Sequence, residues 1–179
     1  MVSKKKLNIS SNELNTIKPI TDNQKEVFAS YEKGQNLFLY GVAGTGKTFV
    51  ALYNALKDVL DPKSPRERVY IVRSLLPTRD IGFLPGDEED KSYLYQVPYQ
   101  NMVRFMFQRG SDAEFDRLYT DLRNQGTVDF LSTSFLRGIT IDNGVIIVDE
   151  CQNLNFHELD TIMTRVGQNT RIIFAGDIQ

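Results

Sequence analysis

The most informative part of this sequence for its fold is Gly41-Val42-Ala43-Gly44-Thr45-Gly46-Lys47-Thr48. It matches the pattern G-x-x-x-x-G-K-[S/T] and lies between an apolar run at 37–40 and a segment of helical periodicity that begins near Phe49. Glycines at these positions let backbone N–H groups turn towards an anion, and the helix that follows directs its positive end to the same place. The stretch therefore predicts a loop that binds the phosphates of ATP or ADP. A glycine-rich turn with a solvated lysine is the alternative interpretation.

Two side chains of this loop carry the predicted chemistry. Lys47 is expected to contact the β and γ phosphates, and Thr48 offers a hydroxyl oxygen to Mg²⁺. The remaining residues are expected to bind the nucleotide mainly through the backbone: Gly41, Val42, Ala43, Gly44, Thr45 and Gly46.

A second acidic pattern follows the apolar run at 145–148, where the chain continues with Asp149 and Glu150. Ligands of open α/β sheets bind at the carboxyl ends of the strands. We expect Asp149 to hold Mg²⁺ through water, and Glu150 to accept a proton from the attacking water or to orient it. An acidic helix start, stabilised by the helix dipole, is the alternative. The phosphate-binding loop upstream favours the metal site.

Apolar strands alternate with helices along the rest of the chain, which implies a mostly parallel sheet covered on both faces, a three-layer α/β domain. The predicted strands are 37–40, 69–72, 128–131, 145–148 and 171–174, and the predicted helices are 21–33, 49–60, 95–108, 115–123 and 156–166. Residues 75–91 are rich in proline, glycine and acid, and they predict a long ordered loop. Residues 1–18 predict a flexible arm, and 19–179 form the predicted domain.

Composition excludes several classes of protein. A length of 179 residues fits one domain, and 41% hydrophobic with 25% charged residues excludes a disordered, collagen-like or coiled-coil chain. The sequence has no apolar run of bilayer length and no secretory signal, so a cytoplasmic protein without membrane contact is expected. Cys151 and His157 are the only residues of their types, which excludes an intrachain disulfide and a Cys/His zinc site. A net charge of −2 gives no argument for nucleic acid.

Two further stretches resemble motifs of superfamily 1 helicases. Asp149-Glu150-Cys151-Gln152 is similar to the DExQ element, and Gly176-Asp177-Ile178-Gln179 is similar to motif III. The resemblance implies that Gln179 senses the γ phosphate and that Gln152 lies beside it. For each glutamine, a surface amide near a strand end is the alternative interpretation.

Thr21-Asp22-Asn23-Gln24 resembles the adenine-reading glutamine motif of the same motors. The amide of Gln24 both donates and accepts, which matches the amino group and ring nitrogen of adenine. A capping box between Thr21 and Gln24 at the start of the first helix is an equally good explanation.

The order of several blocks resembles PhoH-like proteins from about Pro19 to the end. The blocks are Arg73, Gly82-Phe83-Leu84-Pro85-Gly86-Asp87 with Lys91, Phe135-Leu136-Arg137-Gly138, Asp149-Glu150-Cys151-Gln152-Asn153, Thr164-Arg165-Val166-Gly167 and Gly176-Asp177-Ile178-Gln179. The resemblance implies a RecA-like P-loop NTPase core, ATP hydrolysis and a role in RNA handling, with links to phosphate starvation and to bacteriophages. The sequence departs from the family at Ser74, where proline is more frequent. Relatives also continue past Gln179, so 19–179 is expected to lack the family's C-terminal part.

A hydrolase of this kind needs a positive group for the charge of the transition state. The candidates are Arg73, Arg79, Arg137 and Arg165, and for any one of them a surface or salt-bridged arginine is the favoured alternative.

Nucleic acid and a second copy of the chain are the predicted macromolecular partners. Residues 91–109 interleave aromatic and basic side chains, a composition that can stack single-stranded RNA or DNA bases. Helical spacing of Met102, Phe105 and Met106 favours core packing for this segment. An open sheet edge predicts a homo-oligomer.

Together these patterns predict a Mg²⁺-dependent ATPase, in which Glu150, Lys47, Gln152 and Gln179 serve catalysis. A nucleotide-binding switch with little turnover is the main alternative. A fragment of a superfamily 1 helicase is the other, and it would need a second motor domain.

Overall fold

A computed structural model describes residues 9–73 and 88–178, and within them one parallel sheet forms the centre of the fold. Its strands are β1 (Leu37–Gly41), β2 (Arg68–Arg73), β3 (Val128–Ser132), β4 (Gly144–Val148) and β5 (Arg171–Asp177). They lie in the order β1-β5-β4-β2-β3, with all four neighbouring pairs parallel. The predicted α/β fold class with a parallel central sheet is confirmed.

Helices cover both faces of this sheet and make the three predicted layers. They are α1 (Asp22–Glu32), α2 (Lys47–Val59), α3 (Glu88–Met106), α4 (Asp112–Asn124) and α5 (Phe156–Met163), with short 3-10 turns at Ser11–Glu13 and Cys151–Asn153. Side chains of α1 to α4 form one apolar core with one face of the sheet. On the other face, Ile162 of α5 packs with Leu136 and Ile146 in a second, smaller core.

Strand β4 lies in the middle of both cores, and all five of its residues are buried. Val145 and Ile147 point into the larger core, and Ile146 and Val148 point into the smaller one. A strand buried on both faces is apolar throughout, which explains the uninterrupted run before Asp149. This arrangement brings Asp149 to the carboxyl ends of the strands, where only β5 separates it from the end of β1.

The N-terminal residues that the structure describes pack against the domain, so the flexible arm predicted over 1–18 is wrong for 9–17. Ile9 is buried, and the N–H of Asn15 donates to the carbonyl of Met106. The hydroxyl of Tyr53 donates to the carbonyl of Asn15 and accepts from the N–H of Ile17. The few apolar residues are spaced so that Ile9, with Leu14 and Ile17, packs against the larger core.

The other element predictions are confirmed within a few residues, with two differences. Helix α3 begins at Glu88 and includes Pro98, so the last part of the predicted loop 75–91 is helical. Helix α5 ends at Met163, three residues earlier than predicted. Residues 74–87, which hold Arg79 and the 82–87 block, lie outside the described residues. Within 9–73 and 88–178, the chain has no helix that is long and apolar enough to span a bilayer.

Candidate functional site

The predicted phosphate-binding loop connects β1 directly to α2. Gly41 is the last residue of β1, and Gly46 is the N-cap of α2. Gly44 and Gly46 have φ angles of 77° and 82°, a left-handed conformation that side chains with a Cβ rarely adopt. In the part of the chain that the structure describes, no side chain caps α2 at Gly46, so its first N–H groups face the loop. The backbone therefore offers an anion site at a helix N-terminus.

The ammonium group of Lys47 is held inside this loop. Its Nζ lies 3.1 Å from the carbonyl of Gly41 and 2.7 Å from that of Val42. It also lies 2.7 Å from Oδ1 of Asp177, at the end of β5. Thr45 closes the loop tip, because its hydroxyl donates to the carbonyl of Val42 at 2.9 Å, while Val42 and Ala43 themselves are exposed. Lys47 is thus positioned for a phosphate and, in this structure, is paired with a carboxylate.

The two residues predicted as metal ligands, Thr48 and Asp149, meet at the carboxyl ends of the strands. The hydroxyl of Thr48 donates to Oδ1 of Asp149 at 2.8 Å, although the two residues are 101 positions apart. The described residues contain no group of three His, Cys, Asp or Glu side chains that could hold an ion. A hydroxyl and a carboxylate are nevertheless the oxygen ligands that suit Mg²⁺, which takes its other ligands from water and substrate phosphates. The two residues therefore fit a Mg²⁺ that arrives with a nucleotide.

Tyr99 of α3 is a member of this site that the sequence analysis missed. Its hydroxyl donates to Oδ2 of Asp149 at 2.6 Å, and the side chain is only 3% exposed. Burial, reinforced by the negative charge of Asp149, raises the pKa of the Tyr99 phenol, so it remains a donor. The aromatic spacing of α3 suggested a core or stacking residue. Its partner follows a strand 50 residues further along the chain, and only the sheet order brings the two together.

Glu150 is held by Arg73, which ends the neighbouring strand β2. Nη2 of Arg73 lies 2.5 Å from Oε1 of Glu150, and Nε of Arg73 lies 3.2 Å from Oε2 of Glu150. The same Oε2 also accepts from the side-chain amide of Asn153 at 3.3 Å. The guanidinium lies 5.3 Å from the centre of the Tyr95 ring. Burial alone would lower the pKa of Arg73, but its hydrogen bond with Glu150 and the negative charges around it outweigh burial and raise the pKa. Arg73 is therefore salt-bridged, as the alternative interpretation had it.

The backbone at Glu150 turns sharply and brings Gln152 against β5. Glu150 adopts a left-handed conformation with φ at 49°. Oε1 of Gln152 accepts from the N–H of Asp177 at 3.1 Å, so the turn after β4 contacts the end of β5. A Cβ on Gly176 would lie 2.7 Å from Sγ of Cys151, so only glycine allows this approach. Gln179 lies outside the described residues.

Cys151 is a packing residue, as the sequence analysis expected. Its side chain is buried in the smaller core. Burial, with the charge of Asp149, raises the pKa of its thiol, which disfavours the reactive thiolate.

Gln24 lies beside the loop and also serves the start of α1. Its N–H donates to the hydroxyl of Thr21, and its Oε1 accepts from the N–H of Ile20 at 2.9 Å. Its Nε2 donates to the carbonyl of Thr45 in the loop at 3.3 Å. The predicted capping box is formed only in part, because Thr21 caps the N–H of Gln24 but the Gln24 side chain accepts from Ile20, one residue before the N-cap. Gln24 also contacts the loop, and its role in reading adenine stays a prediction.

The other described arginine candidates lie in the second half of the chain. Arg137 contacts the ring of His157 at 3.3 Å. Arg165 donates to the backbone carbonyls of Thr161 and Ile139. Arg165 is therefore structural, whereas Arg137 is exposed.

The segment proposed to stack bases, 91–109, packs mainly into the core. Tyr99, Met106 and Phe107 are buried, which supports the core interpretation. Phe105 differs from that expectation, because it is 70% exposed and touches the domain through the edge of Phe49.

The sequence is similar to a known protein family. The family model described as PhoH-like protein matches residues 16–179. Protein PhoH2 of Bacillus subtilis is 34% identical over 140 residues, which is 78% of this chain and 31% of that protein. Protein PhoH of Escherichia coli K12 is 31% identical over 156 residues, 87% of this chain and 42% of the relative. A PhoH-like protein of Synechocystis is 31% identical over 160 residues, 88% and 46% respectively. The chain thus spans less than half the length of these relatives.

Proposed function

The chain belongs to the PhoH-like protein family, and from that premise we propose that it binds ATP and hydrolyses it with Mg²⁺. The observation that carries the proposal is the 2.8 Å hydrogen bond between Thr48 and Asp149. It joins the phosphate-binding loop to an acidic strand end, and Glu150 is the next residue along the chain. Phosphate cradle, metal ligands and a candidate base thereby occupy one edge of the sheet.

Each group has a defined task in this proposal. The N–H groups at the start of α2 and the ammonium of Lys47 bind the β and γ phosphates, after Lys47 leaves Asp177. Thr48 would hold Mg²⁺ directly and Asp149 through water, and the ion neutralises charge on the phosphates when bound. Glu150 accepts the proton of the attacking water at a carboxylate oxygen, while Arg73 and Asn153 orient that carboxylate. Gln152, through its bond to the backbone of Asp177, and Gln179 report the loss of the γ phosphate.

A nucleotide-binding switch with little turnover is the second candidate. One observation favours it: both carboxylate oxygens of Glu150 already accept hydrogen bonds. Arg73 donates to both of them, and Asn153 donates to Oε2 as well. If this clamp persists with bound nucleotide, water is not activated, and the chain would alternate between ATP and ADP states without efficient chemistry.

We further propose that hydrolysis is coupled to single-stranded RNA or DNA. Phe135 and Phe156 are 75% and 85% exposed at the carboxyl edge of the sheet. Next to them in sequence, Arg137 and His157 contact each other, which places a cation near two exposed aromatic rings. Bases stack on exposed rings, and cations contact phosphates. The turn from Glu150 to Asn153 leads directly into this surface.

Self-association is the remaining part of the proposal. Strand β1 is one of the two edge strands of the described sheet, and its Phe38 and Tyr40 rings stack with their centroids 5.8 Å apart while both are largely exposed. An open edge beside exposed apolar rings favours contact with a second copy. Light scattering with ATP present would show a mass above that of the monomer, and a monomeric mass would refute self-association.

Calorimetric titration with a non-hydrolysable ATP analogue and Mg²⁺ tests the site itself. Loss of a charged hydrogen-bond donor to phosphate in Lys47→Ala should weaken binding by about 10-fold to 100-fold. Lys57→Ala is the matched control, because Lys57 lies on the same helix and is exposed near Glu32. Equal affinity of wild type and Lys47→Ala would refute the proposed nucleotide site.

A further inference from the structure

We propose that Tyr99 is a positioning residue of the metal site, whose hydroxyl fixes the orientation of the Asp149 carboxylate that Mg²⁺ requires. The inference rests on the proposed function, because it assigns a new member to the same site. Its basis is the contact between Tyr99 Oη and Asp149 Oδ2 at 2.6 Å. A distance this short is typical of a hydroxyl that donates to an ionised carboxylate.

The two oxygens of Asp149 are held from different directions. Oδ1 accepts from the hydroxyl of Thr48 at 2.8 Å and from the N–H of Glu150 at 3.0 Å. Oδ2 accepts from Tyr99. Rotation of the carboxylate would break hydrogen bonds on both oxygens, so Tyr99 completes a set of donors that defines one orientation. Groups that orient a ligating side chain in this way strongly influence metal affinity.

The Tyr99 ring is held by packing that does not involve Asp149. It is 3% exposed and meets the edge of the Phe130 ring at 5.5 Å between centroids. Packing therefore holds the hydroxyl in place independently of its hydrogen bond to Asp149 and of any bound ion. This is the property expected of a positioning group, because a mobile donor would follow the carboxylate rather than direct it.

Helix α3 supports the second carboxylate from the same face. Tyr95 lies one turn before Tyr99, and residues four apart lie on one side of a helix. The guanidinium of Arg73 lies 5.3 Å from the Tyr95 ring and forms the ion pair with Glu150. Through Tyr99 and Tyr95, α3 thus supports both Asp149 and the partner of Glu150.

Tyr99→Phe distinguishes a tyrosine that positions Asp149 from one that only stabilises the fold. This change keeps the ring and removes only the hydroxyl. Tyr53→Phe is the matched control, because Tyr53 is equally buried and its hydroxyl bonds the carbonyl of Asn15 and the N–H of Ile17. Urea unfolding of both variants would report how much each hydroxyl contributes to stability.

The decisive readout is the Mg²⁺ concentration needed for half-maximal binding of a fluorescent non-hydrolysable ATP analogue. In Tyr99→Phe it should rise by roughly 10-fold to 100-fold, the usual cost of losing such a supporting group. In Tyr53→Phe, the Mg²⁺ concentration needed for half-maximal binding should match that of wild type. These results together would support the inference.

Two results would overturn it. If wild type shows Mg²⁺-dependent binding and Tyr99→Phe has the same Mg²⁺ dependence, or one shifted only as far as in Tyr53→Phe, the hydroxyl is structural and the inference alone fails. If wild type binds no analogue at any Mg²⁺ concentration, the proposed function fails and the inference fails with it.

Discussion

Lys47 Nζ and Asp177 Oδ1 lie 2.7 Å apart, so the cation of the phosphate-binding loop is paired with a carboxylate from the end of β5. The pair exists because β5 lies between β1, which leads into the loop, and β4, which leads to Asp149. A phosphate and the Asp177 carboxylate compete for the same ammonium group. We therefore expect nucleotide binding to weaken or break the pair of Lys47 and Asp177.

Asp177→Asn should raise the affinity for an ATP analogue, because it removes the competing charge and keeps the N–H that bonds Gln152. The Asp177 side chain is 41% exposed, so the ion pair contributes about 1 kcal/mol or less, and the gain should be at most about fivefold. Calorimetric titration measures it, with the exposed Asp160→Asn as control. A weaker affinity in Asp177→Asn would show that the carboxylate assists binding instead.

Gly176→Ala should destabilise the chain by roughly 1–3 kcal/mol, because the added Cβ would lie 2.7 Å from Sγ of Cys151. Chemical denaturation would measure the loss. Cys151→Ala removes the sulfur. Gly176→Ala should therefore cost much less stability in a Cys151→Ala background than in the wild-type background. If the double variant loses as much stability as the two single variants together, the proposed steric cause is wrong.

Asp58 should make the stability of the chain depend on pH. Burial would raise its pKa, but hydrogen bonds from Arg66, Ser64 and Tyr31 outweigh burial and lower it. A folded pKa below the unfolded value of about 3.9 means that the stabilisation is complete well above pH 4 and is lost as pH falls through the folded pKa. The free energy of unfolding of wild type should therefore decrease below about pH 4.

Asp58→Asn should remove much of this pH dependence and cost about 2–4 kcal/mol at pH 7, since it leaves the half-buried Arg66 without its carboxylate. Urea unfolding at pH 7 and at pH 3 to 4 measures both effects. Parallel pH profiles in wild type and Asp58→Asn would show that other groups set the acid sensitivity.

Substitution of the exposed rings tests the proposed nucleic-acid surface. Phe135→Ala and Phe156→Ala should each weaken binding of a fluorescent single-stranded oligonucleotide by about 1–3 kcal/mol, the usual cost of a lost stacking ring. Phe105→Ala is the control, because Phe105 is an exposed ring of α3, outside this surface. Anisotropy in low salt measures the affinities. Equal losses in all three variants, or no binding by wild type, would exclude this surface.

Features formed by residues close together in the sequence were predicted, whereas contacts that depend on the order of the strands in the sheet were missed. The loop at 41–48 and the strand that leads to Asp149 were predictable, because a motif and its flanking elements lie within about 20 consecutive residues. The pairing of Arg73 with Glu150 requires β2 beside β4, and periodicity gives no strand order. Tyr99 was missed for the same reason: core packing was favoured for the segment 91–109 as a whole, and the Tyr99 ring is buried, but its hydroxyl reaches a carboxylate that follows another strand.

The residues at 9–17 were missed for a different reason. Three apolar residues separated by polar ones are too few to form a core of their own, so composition predicted a flexible arm. They pack because the surfaces of α2 and α3 already provide the partners, including the Tyr53 hydroxyl and the Met106 carbonyl.

Steady-state phosphate release from Mg²⁺-ATP shows whether this site hydrolyses ATP, when wild type is compared with Glu150→Gln and with the exposed Glu26→Gln as control. We expect turnover by wild type and by Glu26→Gln, and loss of turnover in Glu150→Gln while ATP binding persists, because the amide cannot accept the proton of the attacking water. The same rate of phosphate release in wild type and in Glu150→Gln would contradict the proposal that this site hydrolyses ATP with Glu150 as the base.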